Sequence, residues 1–269
     1  MLPINHLYDP FQLTLTPVGL DQFGLSLKQS FPCEVLKRRV HSYLQIKTER
    51  PTSYPVMPDG TQAIFISPLG SLIGGASLKS NEIQILQPGE YFGIRFYPGA
   101  LRNFFNLDIA EITGQFADYK FLPCRFFKDL HTQIFRKKAY GERANVCEAW
   151  LLKNYNPASV NRLDQALYLI YQSSGNIRIS ELADKVGWSS RHINRQFLNN
   201  TGLNAKTFSQ IIRVQTVCRQ LYLNPGAYLK IALDAGYYDQ AHLIKDFKNR
   251  LSMTPRLFLD RLMSDFYNS

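Results

Sequence analysis

The chain has 269 residues, 45% of them hydrophobic, which suffices for one large domain or two ordinary ones. Its 31 Lys/Arg outweigh 21 Asp/Glu to give a formal charge of +10, and the excess is denser after residue 158, where 14 basic residues face 8 acidic ones; such a balance favours an anionic partner. Four scattered cysteines (Cys33, Cys124, Cys147 and Cys218) lack metal-ligand spacing, no secretory pattern opens the chain, and no apolar stretch nears the ~20 residues that span a bilayer. The expectation is therefore a cytoplasmic protein with free, mostly buried thiols, no membrane segment, no metal and no cofactor.

Up to about residue 98 the chain favours strands. Residues 12–18 (QLTLTPV) and 40–48 (VHSYLQIKT) alternate polar and apolar side chains, and apolar runs follow at 63–66 (AIFI), 83–86 (IQIL) and 91–96 (YFGIRF). Pro58-Asp59-Gly60, Pro68-Leu69-Gly70, Gly74-Gly75, Pro88-Gly89 and Pro98-Gly99 punctuate them. Short strands with turn chemistry between them predict a small β-barrel-like domain. A metalloenzyme barrel of the cupin type needs clustered histidines, usually two on one strand. The five here (His6, His41, His131, His192 and His242) are never paired at i, i+2 or i, i+4. No G-x-S-x-G and no phosphate-binding glycine loop is present either, so the expectation is no enzyme, but a barrel that holds a ligand or presents a partner surface. Arg95, between Ile94 and Phe96, faces opposite to them on a strand. It is either a structural cation under the Pro98-Gly99 turn or a pocket cation for an anionic ligand.

From Ala100 the period becomes helical. Residues 100–106 and 108–116 read as short helices, and 126–135 (FFKDLHTQIF) as an amphipathic one with Phe127, Leu130 and Ile134 on one face. Residues 142–154 form another, with Val146, Ala149, Trp150 and Lys153 at helical spacing. These helices are suited to cover an open face of the barrel. Residues 154–157 (NYNP) break helix and mark a linker, dividing the chain into domains 1–157 and 158–269.

The second domain repeats itself. Leu182-Ala183, three residues and Gly187 recur as Ile231-Ala232, three residues and Gly236, offset by 49. Ser189, His192, Ile193, Arg195 and Phe197 recur as Asp239, His242, Leu243, Lys245 and Phe247, offset by 50. Each copy reads as a short helix, a glycine turn and a second helix opened by a capping Ser189 or Asp239, which is a helix-turn-helix. A helix over 160–172 precedes the first copy, one over 205–223 joins the two, and one after Pro255 closes the second. Recognition helices that enter successive major grooves stand about 34 Å apart. Arg191, Asn194 and Arg195 share a face at i, i+3 and i+4; Arg can fork onto guanine and Asn can pair adenine. Gln240, Ala241, His242 and Lys245 occupy the corresponding turns of the second copy, where Gln favours adenine, Ala suits a thymine methyl and Lys takes guanine or phosphate. Trp188, Ile193, Phe197, Leu243 and Phe247 read as core. Lys206, Arg213, Arg219, Lys230 and Lys248 are candidate phosphate contacts.

Ala183, residues 187–197 (GWSSRHINRQF), Gly202, Arg213, Ala232, residues 236–248 (GYYDQAHLIKDFK) and the Thr254-Pro255 pair together resemble the DNA-binding domain of AraC/XylS regulators, over about residues 160–265. Ser252 stands where that family usually has Gly, which speaks against the left-handed cap at that helix end but not against the fold. In the first domain, residues 58–65 (PDGTQAIF) and 93–100 (GIRFYPGA) look like the paired signatures of a sensor domain in one branch of the family. Many members carry an acidic residue near Gln62 and Ala63, so Gln62 joins Arg95 as a candidate ligand contact. The resemblance implies an α+β chain: an N-terminal cupin-like β-barrel with flanking helices, then an all-α domain with two helix-turn-helix motifs joined by a long helix. It also implies a transcription regulator on double-stranded promoter DNA, with a small-molecule effector or a docked protein at the first domain, pairing as a homodimer, and contact with RNA polymerase.

Overall fold

The computed structural model describes residues 8–67, 69–118, 127–157 and 161–263. Its first part holds eight strands among the described residues: β1 (Leu25–Ser30), β2 (Val40–Thr48), β3 (Thr52–Val56), β4 (Gln62–Ser67), β5 (Gly70–Gly74), β6 (Asn81–Ile85), β7 (Gly89–Phe96) and β8 (Phe116–Asp118). Six form an antiparallel sheet in the order β1-β2-β7-β4-β5-β8, while β3 pairs only with β6. The barrel is therefore open, with β1 and β8 as edges, and the β3-β6 ribbon packs on the sheet through Leu25, Ile46, Tyr54 and Ile85. Residues 12–18, expected as a strand, are instead a 3-10 turn over Leu13–Leu15 running into α1 (Pro17–Phe23). Thr16 accepts the Gly19 amide, and Pro17 takes the first helical position, where its missing N–H would have had no partner anyway. Helix-start chemistry overrides an alternation only a few residues long.

The two faces of the sheet serve different ends. Tyr43, Ile64, Ile66, Phe92, Ile94 and Phe96 enter a core with Leu130 and Ile134 of α2 (Phe127–Phe135) and Cys147, Trp150 and Leu151 of α3 (Tyr140–Asn154). Both helices thus cover the sheet. Arg143 ties α3 down, its Nη1 2.8 Å from Gln45 Oε1 and 2.5 Å from Glu90 Oε2. The helices expected at 100–106 and 108–116 shrink to 3-10 turns at Leu101–Asn103 and Ile109–Ile112, with Phe116 already in β8. Ala63, Phe65, Gly93 and Arg95 fall on the opposite face, toward the ribbon, as the two-residue period requires.

The second part is helical: α4 (Arg162–Gln172), α5 (Ile179–Val186), α6 (Ser190–Thr201), α7 (Ala205–Leu223), α8 (Tyr228–Asp234), α9 (Gln240–Leu251) and α10 (Pro255–Met263). It has two cores that meet along α7. Phe208, Ile211 and Ile212 pack with Leu182, Ile193 and Phe197, whereas Val214, Val217, Cys218 and Leu221 pack with Leu243, Phe247 and Phe258. Of the cysteines, Cys147 and Cys218 are buried and Cys33 half-buried, all three free; Cys124 lies outside the described residues. No described helix is long and apolar enough to cross a membrane.

The first part docks on the second over a broad front. Tyr8 stacks on Tyr171 at 4.7 Å, Phe11 lies 5.3 Å from Tyr222, and Met57 joins the second helical core. Gln215 of α7 donates to the Pro58 carbonyl (2.9 Å) and accepts the Phe11 amide (2.8 Å). Arg39 and Arg102 converge on the buried Asp164 of α4 at 2.9 and 2.8 Å. A buried and a half-buried arginine on one buried carboxylate form a tie whose breaking would leave charges unpaired in a poor solvent.

Candidate nucleic-acid interface

Both second helices of the repeat are capped as their sequences anticipate. The Ser189 side chain accepts the His192 amide (3.2 Å) at the start of α6, and Asp239 accepts the His242 amide (2.7 Å) at the start of α9. Gly187 (φ 67°) and Gly236 (φ 76°) supply the left-handed turns before them. Trp188 packs on His192 with ring centres 4.8 Å apart, and Tyr237 on His242 at 5.1 Å, so the repeat extends to its aromatic props.

On α6 the three expected readers part company. Arg191 and Arg195 are exposed. Asn194 is half-buried: its Nδ2 donates to the Ser190 carbonyl (2.8 Å) and its Oδ1 accepts the Ala205 amide (3.2 Å), joining α6 to the start of α7. Arg195 Nη2 lies 3.2 Å from His192 Nδ1, and Gln196 Nε2 lies 3.3 Å from His192 Nε2. A neutral imidazole accepts at one nitrogen only. So in any one neutral tautomer only one of Arg195 and Gln196 donates to the His192 ring. The exposed face runs on to Leu198 (44% exposed) and Asn199, which residue chemistry had not singled out.

On α9, Gln240, Ala241, His242 and Lys245 are all exposed, and the face continues to Lys248 and Asn249. Gln240 also hydrogen-bonds the Tyr228 hydroxyl. Two of the expected phosphate contacts are engaged elsewhere. Arg213 lies 3.7 Å from the Asp246 carboxylate and over the Tyr237 ring at 4.8 Å, inside the second unit, while Arg219 pairs with Asp9 at 2.8 Å. Lys206, Lys230 and Lys248 are exposed. Ser252 does adopt the left-handed cap (φ 57°, ψ 22°) that its side chain disfavours.

The other candidate site is a cavity of about 110 Å³ between sheet and ribbon, walled by Leu44, Ile46, Tyr54, Val56, Phe65 and Phe116. A wider one of about 340 Å³ adjoins it, with Tyr54, Phe65 and Phe116 in both walls. At one end of the smaller cavity stands a buried polar cluster. Arg95 pairs with Asp59, and its Nε donates to Thr61 Oγ1 (3.3 Å). Asp59 also accepts from the Thr61 amide (2.8 Å), the Thr61 hydroxyl (2.6 Å) and Gln12 Nε2 (2.7 Å). Burial alone would raise the Asp59 carboxyl; the Arg95 charge and these hydrogen bonds hold it below the ordinary range. Arg95 thus lines the cavity, bonded within the PDG motif and not under the Pro98-Gly99 turn. Gln62 does not line it. It lies on the other face, where its Nε2 reaches the Asn200 carbonyl of α6 at 3.3 Å. Among the described residues, no group of three or more His, Cys, Asp or Glu is placed to hold a metal.

Comparison with known proteins falls along the same division. Residues 182–261 match the model of a helix-turn-helix domain, and residues 28–118 that of a domain of unknown function (DUF6597). An uncharacterized HTH-type transcriptional regulator of Haemophilus influenzae is 33% identical over 95 residues, which is 35% of this chain and 32% of that protein. One from Staphylococcus aureus is 25% identical over 103 residues, 38% of this chain and 14% of that protein. The chain therefore spans a third or less of the length of these relatives. Among solved structures, ToxT from Vibrio cholerae aligns with a TM-score of 0.43 at 10% identity, covering 89% of this chain and 98% of that one.

Proposed function

We propose that the protein is a transcription regulator of the AraC/XylS type that binds specific promoter sequences in double-stranded DNA; the helix-turn-helix match over residues 182–261 and the HTH-type transcriptional regulators among its relatives support this. One observation carries the proposal: two repeat-equivalent helices, each capped by its own side chain, present exposed first turns that bear Arg191 and Arg195 on one and Gln240, Ala241, His242 and Lys245 on the other. In this reading Arg191 and Arg195 take guanines, Gln240 adenine, Ala241 a thymine methyl, and Lys245 guanine or phosphate, while Lys206, Lys230 and Lys248 meet phosphates. Asn194, bonded at both ends of its amide, shapes the motif and reads no base.

The proposal includes effector control at the cavity. Arg95 is already neutralised by Asp59, so a bare anion gains little there. The apolar walls favour a mainly hydrophobic ligand whose polar end meets the Arg95–Asp59–Thr61 cluster.

Replacement of Arg195 by Ala tests the DNA reading. It should weaken binding to a selected site by about 1–3 kcal/mol and relax one base preference, with little change on random DNA. Equal losses on both would make Arg195 a phosphate contact, and a wild-type protein without sequence preference would sink the reading. Operator affinity that stays the same with every effector tried would remove the sensing half.

A further inference from the structure

The sensor part touches the two recognition helices at equivalent places in the repeat. The carbonyls within the last turn of any helix lack intrahelical partners. In α6 one of these, Asn200 O, accepts from Gln62 Nε2 at 3.3 Å. In α9 the carbonyl of Arg250, fifty residues on and so at the same repeat position, accepts the Ser80 amide at 2.7 Å. Each contact has a brace beside it. Thr113 Oγ1 lies 3.2 Å from the Gly202 carbonyl after α6, and Arg250 Nη1 lies 3.2 Å from the Leu78 carbonyl. The two docking segments are themselves joined, since the Gly114 amide donates to the Ala76 carbonyl at 2.9 Å.

We infer that the sensor part is a ruler: by gripping α6 and α9 at repeat-equivalent carbonyls, it fixes the separation and relative rotation of the two recognition helices on DNA. The inference rests on the DNA-reading function proposed above. Three observations lead to it. The two helix-turn-helix units have separate cores and share α7, a single helix of 19 residues, roughly 28 Å long. Within the helical part, the relative placement of the two units therefore rests mainly on that one helix. The grips sit at the C-terminal ends of α6 and α9, while the proposed readers occupy the first turns and stay exposed, so a gripped protein can still face DNA. Finally, Gly74, Gly75, Ser77 and Asn81 line the cavity and flank the 76–80 segment that holds α9, so whatever fills the cavity presses on one arm of the ruler. Gln62, Ser80 and Arg250 are positioning residues in this arrangement and make no contact with bases.

Inserting one base pair between two recognition blocks shifts the second by about 3.4 Å and turns it by roughly a tenth of a helical turn, which a rigid reader cannot follow. The test is selection from random DNA with the full chain, followed by binding to the selected site with one base pair added or removed between its blocks. Wild type should enrich two blocks at one spacing and lose roughly tenfold in affinity on the altered site. The Gln62→Ala/Ser80→Pro double variant, which removes the donors to both carbonyls, should enrich the same two blocks over a spread of spacings and discriminate severalfold less. Ser80→Pro alone, which removes the backbone donor to α9, should do likewise and serves if the double variant fails to fold. Retention of the single wild-type spacing by a folded variant overturns the ruler while leaving the DNA reading intact. Two wild-type blocks without a preferred spacing overturn it as well. Failure of wild type to enrich any sequence overturns the DNA-reading function, and the ruler with it.

Discussion

Asn194 illustrates how residue type and residue role separate. Its position on the i, i+3, i+4 face and its affinity for adenine both favour a reader, yet its amide is used by Ser190 and Ala205. Asn194→Ala should lower stability by about 1 kcal/mol, the worth of a helix-start hydrogen bond, and leave the selected DNA sequence unchanged. Loss of a base preference at constant stability would restore Asn194 as a reader; chemical denaturation and selection together decide. The Ala205 amide lies eleven residues away across a turn, so helical spacing held no trace of the bond. Arg95 was more legible. The two-residue period placed it opposite Ile94 and Phe96, but its carboxylate partner, Asp59, belongs to a different strand connection. The Gln62–Asn200 contact joins residues 138 apart and had no signal in local pattern at all.

Among elements, the ends of α6 and α9 form a natural comparison. Gly202 and Ser252 occupy the same repeat position, and both are left-handed, with φ of 78° and 57°. A Cβ on Gly202 would meet Thr113 Oγ1 at 2.0 Å, so the first part of the chain as well as the backbone demands glycine there. Ser252 is exposed, and only its backbone conformation argues against a side chain. Ser252→Gly should therefore stabilise the protein, by about 0.5–1 kcal/mol, and a thermal melt that drops would contradict this. The helical half was the most legible part because its apolar period, caps and glycine turns agree with one another and occur twice. The strand read at 12–18 failed where the signals conflicted: five alternating residues favoured a strand, while Thr16-Pro17 favoured a helix start, and the cap prevailed. The open sheet follows from pairings between distant strands, which local alternation does not encode.

At the scale of the whole molecule, Asp164 is the charge on which the strand-rich first part and the helical second part meet. Burial would raise its carboxyl, but the Arg39 hydrogen bond and the charges of Arg39 and Arg102 hold it below the usual range. A carboxyl depressed in the folded state stabilises at every pH above its unfolded value of about 3.9, and that contribution is lost as the pH falls through the folded value. Denaturant unfolding of wild type should thus show stability declining below about pH 4. Asp164→Asn should be less stable by about 3 kcal/mol at neutral pH, since the buried Arg39 and the half-buried Arg102 lose their anion, and should decline less in acid. A parallel acid decline in both proteins would mean that other carboxylates, Asp59 among them, dominate. The N-terminal segment has a consequence of another kind. Tyr8 and Phe11 rest on Tyr171, Tyr222 and Phe258, so their seats lie far downstream in the chain. During translation at about 5–20 residues per second, Phe11 leaves the ribosome on the order of ten to fifty seconds before Phe258 is made. For that interval Phe11 waits without its complete binding surface, and Tyr8 for the shorter time until Tyr171 is made. Docking of Phe11 therefore waits for the synthesis of α10, and until then a nascent chain is more open to chaperones, or to mispairing with a neighbour.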